Sequence, residues 1–221
     1  MYTLNKCLAE SCQNGALTVF DENGTITEKD GYCIDHIPDP QKAQQDVYQY
    51  INTHDKIVGL NACGIIFSDI DLTNKRFYGC NFQHCQFSNL HSEGFRSRMS
   101  MFDFAVFKDC NWLKSNMQFT SFAGCTFTHT LFTGSDMIHN NFCGIAAYQS
   151  SFDDSDLYNS RFVRAKLIDT SFRNCNIKRT IFYDLEQKNV SFKMSNTREA
   201  IFSLDETELA GGKNIPESCA L

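Results

Sequence analysis

Four residues near the start of the chain have the types and spacing for metal coordination. Cys7 and Cys12 are separated by four residues, and Cys33 and His36 by two. Between these pairs, Ala16-Leu17-Thr18-Val19-Phe20 and Gly24-Thr25-Ile26-Thr27 flank Asp21-Glu22-Asn23-Gly24, which predicts a β-hairpin with an Asn-Gly turn. A hairpin of this kind brings two pairs of thiolate and imidazole ligands together, and four such ligands close a tetrahedral zinc site. All four positions would be protein groups, so the expected metal is structural, with no open position for catalysis. The segment is too short for a large core, and a metal would help it fold. The competing reading makes Cys7, Cys12 and Cys33 ordinary buried thiols. His54 is a substitute ligand on this reading, or else a surface residue.

The Cys7, Cys12, Cys33, His36 arrangement resembles a zinc-ribbon or treble-clef-like knuckle. It implies a zinc-binding module over residues 1–38, followed by a capping helix and linker over 39–62. Asp39-Pro40 supplies a helix N-cap and a proline at the first position, and Ala43, Val47, Tyr50 and Ile51 form an apolar stripe. That helix is expected to cover the near end of the region beyond residue 62.

From Phe67 onward, every fifth residue is large at 23 of 28 positions, the exceptions being Ser92, Ser97, Ala147, Gln187 and Thr197. The series runs through Phe77, Phe82, Phe87, Phe102 and Phe107 to Phe202, and 16 of the 20 Phe residues fall in it. Leu72, Trp112, Met117, Met137, Leu157, Leu167 and Ile177 extend the column. Two residues earlier in each unit stands a small residue, such as Cys80, Cys85, Cys110, Ser115, Cys125, Ser155 or Cys175. Neither a 3.6-residue helix nor a two-residue strand repeat produces a period of five. A square coil does, with one pentapeptide per side and twenty residues per turn. The reading is an all-β chain: a right-handed quadrilateral parallel β-helix over 63–202, of about seven coils and about 34 Å long at the usual strand spacing. Residues 203–221 are read as a C-terminal tail or cap.

Units such as Cys80-Asn81-Phe82, Cys110-Asn111-Trp112 and Ser155-Asp156-Leu157 resemble the pentapeptide repeat family, over about 63–202. The resemblance implies a recognition rod. Members of the family include DNA-mimicking inhibitors or protectors of DNA gyrase, and bacterial effectors.

Two stretches depart from the pattern. Ser92 and Ser97 occupy the large column while Leu90 and Phe95 occupy the small one, which predicts a bulge or outward loop over 90–99, or a repacked pair of sides. Ala147 is small where a large residue is expected, with Ile145 or Tyr148 placed to fill the gap.

The net charge of -6 lies in the two ends. Residues 63–202 carry fifteen Lys plus Arg against thirteen Asp plus Glu, a net of +2. Mimicry of DNA along the whole rod is therefore disfavoured, and no basic footprint large enough for nucleic acid is present. Basic residues gather toward the rod's end, from Arg161, Arg164 and Lys166 to Lys188 and Lys193. Outer positions at Met101, Phe104, Val106, Leu113, Phe119, Leu131 and Ile138 are apolar and suggest a contact patch. Ile181 and Ile201 suggest a homodimer contact or packing by the tail.

No phosphate loop, nucleophile elbow or His-Glu-x-x-His motif is present, and no catalytic residue is assigned. Eleven cysteines with irregular spacing point to reduced thiols and a cytoplasmic setting. No apolar stretch is long enough for a membrane span. The expectation is a non-enzymatic scaffold for an unidentified protein partner, with a gyrase- or topoisomerase-directed inhibitor or protector as the alternative.

Overall fold

A computed structural model of the protein describes residues 5–203. A helix, α1 (Pro40–Thr53), precedes eleven three-residue strands: β1 (Lys56–Val58), β2 (Ile66–Ser68), β3 (Arg76–Tyr78), β4 (Gln86–Ser88), β5 (Arg96–Arg98), β6 (Val106–Lys108), β7 (Asn116–Gln118), β8 (Thr126–Thr128), β9 (Ala146–Tyr148), β10 (Lys166–Ile168) and β11 (Glu186–Lys188). All strand pairs are parallel, with partners twenty residues apart, as in Lys56↔Arg76 and Phe87↔Phe107. Isolated bridges at Asn81↔Met101 and His91↔Asn111 keep the same spacing on the other two faces. Four five-residue sides therefore make each coil of a parallel β-solenoid, about seven coils tall. We call the faces A (carrying β1, β3, β5 and β7), B (Asn61, Asn81, Met101), C (carrying β2, β4, β6 and β8 to β11) and D (Asp71, His91, Asn111). The ladder starts at Lys56, ahead of residue 63, because Ile57 already occupies the axis, fully buried.

The large column fills the interior as aromatic stacks. Phe82, Phe102, Phe122, Phe142, Phe162, Phe182 and Phe202 stack face to face with centroids 4.7–5.3 Å apart. That separation follows from the strand spacing, and each buried Phe contributes roughly 1.5–3 kcal/mol. The small column has a second role. Its hydroxyls and thiols donate to the carbonyl 23 residues earlier: Ser135 Oγ to Trp112 O at 2.8 Å, Ser160 Oγ to Met137 O at 2.8 Å, Cys125 Sγ to Phe102 O at 2.9 Å. Small size and a donor group are thus both useful here, and Ser, Thr and Cys supply both.

The corners between sides hold residues with positive φ, such as Asn74 (58°), Asn89 (51°) and Asp169 (50°). Asn, Asp and Gly tolerate this left-handed region best.

The 90–99 stretch forms neither a bulge nor an outward loop. Leu90 and Phe95 are buried in the small column, Ser92 and Ser97 are buried on the axis, and β5 pairs regularly with β3 and β7. The two columns exchange sizes, so the coil's interior volume is kept. The same exchange resolves Ala147: Ile145 is buried beside it, while Tyr148 faces outward and is half-buried.

Asp39 caps α1 by accepting from Lys42 N, at 2.9 Å, and Pro40 opens it. Val47 and Ile51 bury against the first coil, and the Tyr48 and Phe67 rings are 5.3 Å apart. The helix covers the first coil, as its apolar stripe predicts. The tail reading for 203–221 falls, beyond Ser203, outside the described residues. Ile181 and Ile201 are half-buried and bridge each other on face B.

Candidate functional site: a Cys3His knuckle beside an apolar edge

The first ligand pair sits on a tight reversal. Lys6 and Gly15 form an antiparallel bridge, Cys7 N donates to Asn14 O at 2.9 Å, and Ser11 takes a φ of 64° to close the turn. The second hairpin forms as predicted, with one refinement at its turn. Gly24 N donates to Asp21 O, and Gly24 alone adopts positive φ, so a type I turn precedes a left-handed glycine. The chain then returns to pair with the first segment through Leu8 N to Gly31 O and Leu17 N to Tyr32 O, both 3.0 Å. Cys33 opens a single turn in which the His36 and Ile37 amides donate to its carbonyl, and this swings His36 toward the thiols.

The result brings Cys7, Cys12, Cys33 and His36 together, with all four ligand atoms within 4.8 Å of one another. Cys12 Sγ is 3.9 Å from Cys33 Sγ, and His36 Nδ1 is 3.2 Å from Cys33 Sγ and 3.6 Å from Cys7 Sγ. A tetrahedron with Zn–S bonds of about 2.3 Å has sulfur-to-sulfur edges of roughly 3.8 Å. The donor set and its dimensions therefore fit a metal ion. Burial raises the Cys7 thiol, but the amides of Cys33 and Ala9 and the neighbouring thiols outweigh it and bring it down to about 6. Cys12 moves upward: an amide at Asn14 lowers it, while burial and the Cys33 and Cys7 sulfurs carry it the other way. Asn14 Nδ2 lies 4.0 Å from Cys33 Sγ and donates to Asp35 Oδ2 at 3.2 Å, a bond that orients the amide beside the ligands. His54 lies elsewhere, stacked on Tyr50 at 4.1 Å at the end of α1.

The axial thiols differ in kind. Burial pushes Cys80 and Cys175 up to about 12 and Cys110 to about 11, so they remain protonated donors to backbone carbonyls.

The knuckle leans on face B of the first coils. Thr18 N donates to Asn61 O at 2.9 Å, and Asn61 N donates to Thr18 Oγ1 at 2.7 Å. Gly64 has a φ of 78°, and a Cβ there would come within 2.9 Å of Ile34, so the contact needs glycine. The His84 ring, at the knuckle's lower rim, stacks on Phe104 at 5.3 Å. Apolar residues border face B on both sides: Phe104 and Val106 at its corner with face C, and Met99 and Phe119 at its corner with face A. Met99, Phe104 and Phe119 are each more than half exposed and Val106 is exposed as well, while the exposed Leu131 lies apart from them on face D. Of the apolar outer positions noted in the sequence, Met101, Leu113 and Ile138 are half-buried.

The basic residues toward the rod's end are largely neutralised between coils. Arg164 pairs with Asp184, Lys166 with Glu186, Arg173 with Asp153, and Lys178 and Arg179 with Glu199. The sequence could not show this, because the partners stand about twenty residues away.

A profile for the pentapeptide repeat region matches residues 125–202, and one for eight copies of pentapeptide repeats matches residues 102–138. Residues 102–202 of this chain belong to the pentapeptide repeat family. Among solved structures, the chain is similar to HetL, a pentapeptide repeat protein involved in heterocyst differentiation regulation from the cyanobacterium Nostoc. The identity is 12%, with 71% of this chain and 91% of that chain covered and a TM-score of 0.35. It is also similar to a trypsin-treated QnrB1, a plasmid-mediated fluoroquinolone resistance protein, at 16% identity, covering 67% and 77% with a TM-score of 0.36. No curated protein sequence matches. Among the described residues, no helix is long and apolar enough to cross a membrane.

Proposed function

We propose that the protein is a non-enzymatic binding scaffold for a protein partner, with an N-terminal knuckle held by one structural zinc ion. The observation that carries this reading is the placement of Phe104 and Phe119. Of the 20 Phe residues, 16 line the axis, Phe95 fills the swapped column and Phe20 packs in the cap. Only Phe104 and Phe119 face outward, 58% and 57% exposed. Both occupy corners at positive φ, 61° and 52°, and so does Met99 at 50°. A bulky side chain there costs about 1 kcal/mol or more relative to glycine, and exposure returns little of it. Met194 is a fourth exposed apolar corner residue, 82% exposed at φ 62°, but it lies on face D near the rod's far end. Met99, Phe104 and Phe119 border face B, where a partner that covers them explains apolar side chains at strained, solvent-facing corners.

Zinc suits the knuckle because three thiols and an imidazole are soft and borderline donors at tetrahedral separation. With four protein ligands the ion would hold the cap against face B, beside Phe104, and take no part in chemistry. Mimicry of duplex DNA needs a continuous acidic exterior, and the net charge of +2 over 63–202 speaks against it.

The test is partner capture from the source cell by the wild-type chain and by a Phe104→Asp, Phe119→Asp variant. The expected result is a discrete partner retained by the wild type and lost by the variant, with thermal unfolding unchanged. Equal capture by a well-folded variant would rule out the edge as the binding surface.

A further inference from the structure

Face A carries a run of positive charge without carboxylate partners. Lys56, Arg76 and Arg96 are direct partners on the parallel ladder, Lys56↔Arg76 and Arg76↔Arg96, and all three are exposed. Their side chains leave the sheet at the same register, one strand spacing (about 4.8 Å) apart. Like charges stacked this closely repel. Elsewhere on this rod such positions are balanced by carboxylates, as in Lys166–Glu186 and Arg164–Asp184. Among the described residues no ion pair reaches Lys56, Arg76 or Arg96, and the nearby Asp55 faces Lys75 instead, at 3.4 Å. Arg98 adds a fourth cation on the same face, its guanidinium resting on the carbonyls of Ser97 and Asn116, both at 3.1 Å.

Beside this column lie two apolar side chains, Val58 and Tyr78, with Arg98 on the next rung and Met99 at the adjoining corner. Val58 is 55% exposed, Tyr78 lies next to it with Lys56 Nζ 5.6 Å from its ring centroid, and Met99 follows at the corner, 63% exposed. Gly59 and Gly79 precede Met99 in that corner column, so the corner beside Val58 and Tyr78 carries no side chain of its own.

We propose that this face docks an acidic amphipathic helix of a partner protein, laid along the rod axis. The proposal rests on the reading of the rod as a scaffold and names the partner's chemistry. The geometry favours a helix. Carboxylates one turn apart on a helix recur every 5.4 Å, close to the rung spacing, so three Glu or Asp residues at i, i+4 and i+7 meet Lys56, Arg76 and Arg96. An extended strand repeats its side chains on one face every 6.6–6.8 Å and falls out of step by the third rung. The neighbouring stripe of the same helix would set its apolar residues on Val58, Tyr78 and Met99.

The test is fluorescence anisotropy with the full chain and a synthetic 18-residue helical peptide. The peptide carries Glu at i, i+4, i+7 and i+11 and Leu or Phe on the adjoining stripe. A matched peptide with Gln for Glu and a duplex DNA oligonucleotide are run alongside. The expected result is saturable binding of the Glu peptide that weakens as salt is raised. Binding should fall about tenfold or more for the Gln peptide and for an Arg76→Glu, Arg96→Glu variant. An Arg76→Gln, Arg96→Gln variant should give a smaller loss and guards against misfolding of the reversal. No binding, equal binding of the Gln peptide, unchanged binding by both variants, or tighter binding of the duplex would each overturn the proposal. If those results came while capture still depended on Phe104 and Phe119, the helix would be excluded and the scaffold reading would stand.

Discussion

The Phe104 ring lies across the backbone of Gly124, one coil further along the same corner: a Cβ on Gly124 would stand 2.7 Å from two of the ring's carbons. Gly124 also has a φ of 67°. The pair explains how an exposed phenyl ring is held in place, with a glycine floor on one side and the stacked His84 ring on the other. Gly124→Ala is expected to cost about 1 kcal/mol through left-handed strain, and to displace the Phe104 ring. Chemical denaturation measures the cost. A stability equal to wild type would show that the ring does not rest there.

Phe119 should behave in the opposite way. It is exposed and held at positive φ, with a stack of 4.9 Å on His139 as its main contact. Phe119→Asn is expected to leave stability unchanged or raise it by up to about 1 kcal/mol, since Asn tolerates the left-handed region. Partner capture should weaken. Destabilisation by more than about 1 kcal/mol would mean that Phe119 is there for the rod itself.

Much of this architecture can be read from the residues, and the reasons are physical. The axis column is visible because one face-to-face stack admits only large apolar side chains, so Phe82 to Phe202 keep the register. The exchange at Leu90, Ser92, Phe95 and Ser97 reads as a break because the column rule tracks position, whereas packing conserves volume. Ile57 and Ala62 belong to the first coil but carry no Phe to announce it. The Cys7, Cys12, Cys33, His36 grouping is legible from ligand chemistry and hairpin spacing. The cationic column of face A is not, because Lys56, Arg76 and Arg96 become neighbours only through the twenty-residue coil. A signal does exist in the corner column, where Asp69, Asn74, Asn89, Asp109 and Asn159 mark left-handed positions. Against that background Met99, Phe104, Phe119 and Met194 are anomalous by residue type alone.

Asp153 gives the rod a pH-dependent brace. Its Oδ2 accepts from Arg173 Nε and Nη2 at 3.0 and 2.7 Å, and its Oδ1 accepts from Ser171 Oγ at 2.5 Å and Arg173 N at 2.7 Å. Burial alone would raise this carboxyl, but Arg173 and Ser171 outweigh it and hold it below its ordinary value. A depressed carboxylate stabilises the fold above its unfolded-state pKa and loses that contribution as pH falls through the folded value. Asp153→Asn should therefore cost about 1–3 kcal/mol at neutral pH. The gap to wild type should close as pH drops below 3.8. A gap independent of pH would contradict this assignment.

The knuckle should hold one zinc ion per chain. Elemental analysis of the chelator-washed protein should find about one equivalent, and Cys33→Ser should lose it. Because Thr18 and Ile34 tie the knuckle to the first coil, removal of zinc should release the cap and leave the Phe-stacked coils folded. Hydrogen exchange would show the change confined to the first coils and the cap. A metal-free protein with a fully protected cap would make these residues ordinary buried thiols.

Binding of a partner at the apolar edge beside the knuckle can be examined at single residues by photo-crosslinking in the source cell. A photoreactive side chain would be placed in turn at Phe104, at Phe119 and, on face D, at the exposed Asn174. The same discrete adduct is predicted from positions 104 and 119, and none from 174. Adducts from all three positions alike, or from 174 alone, would contradict binding at that edge.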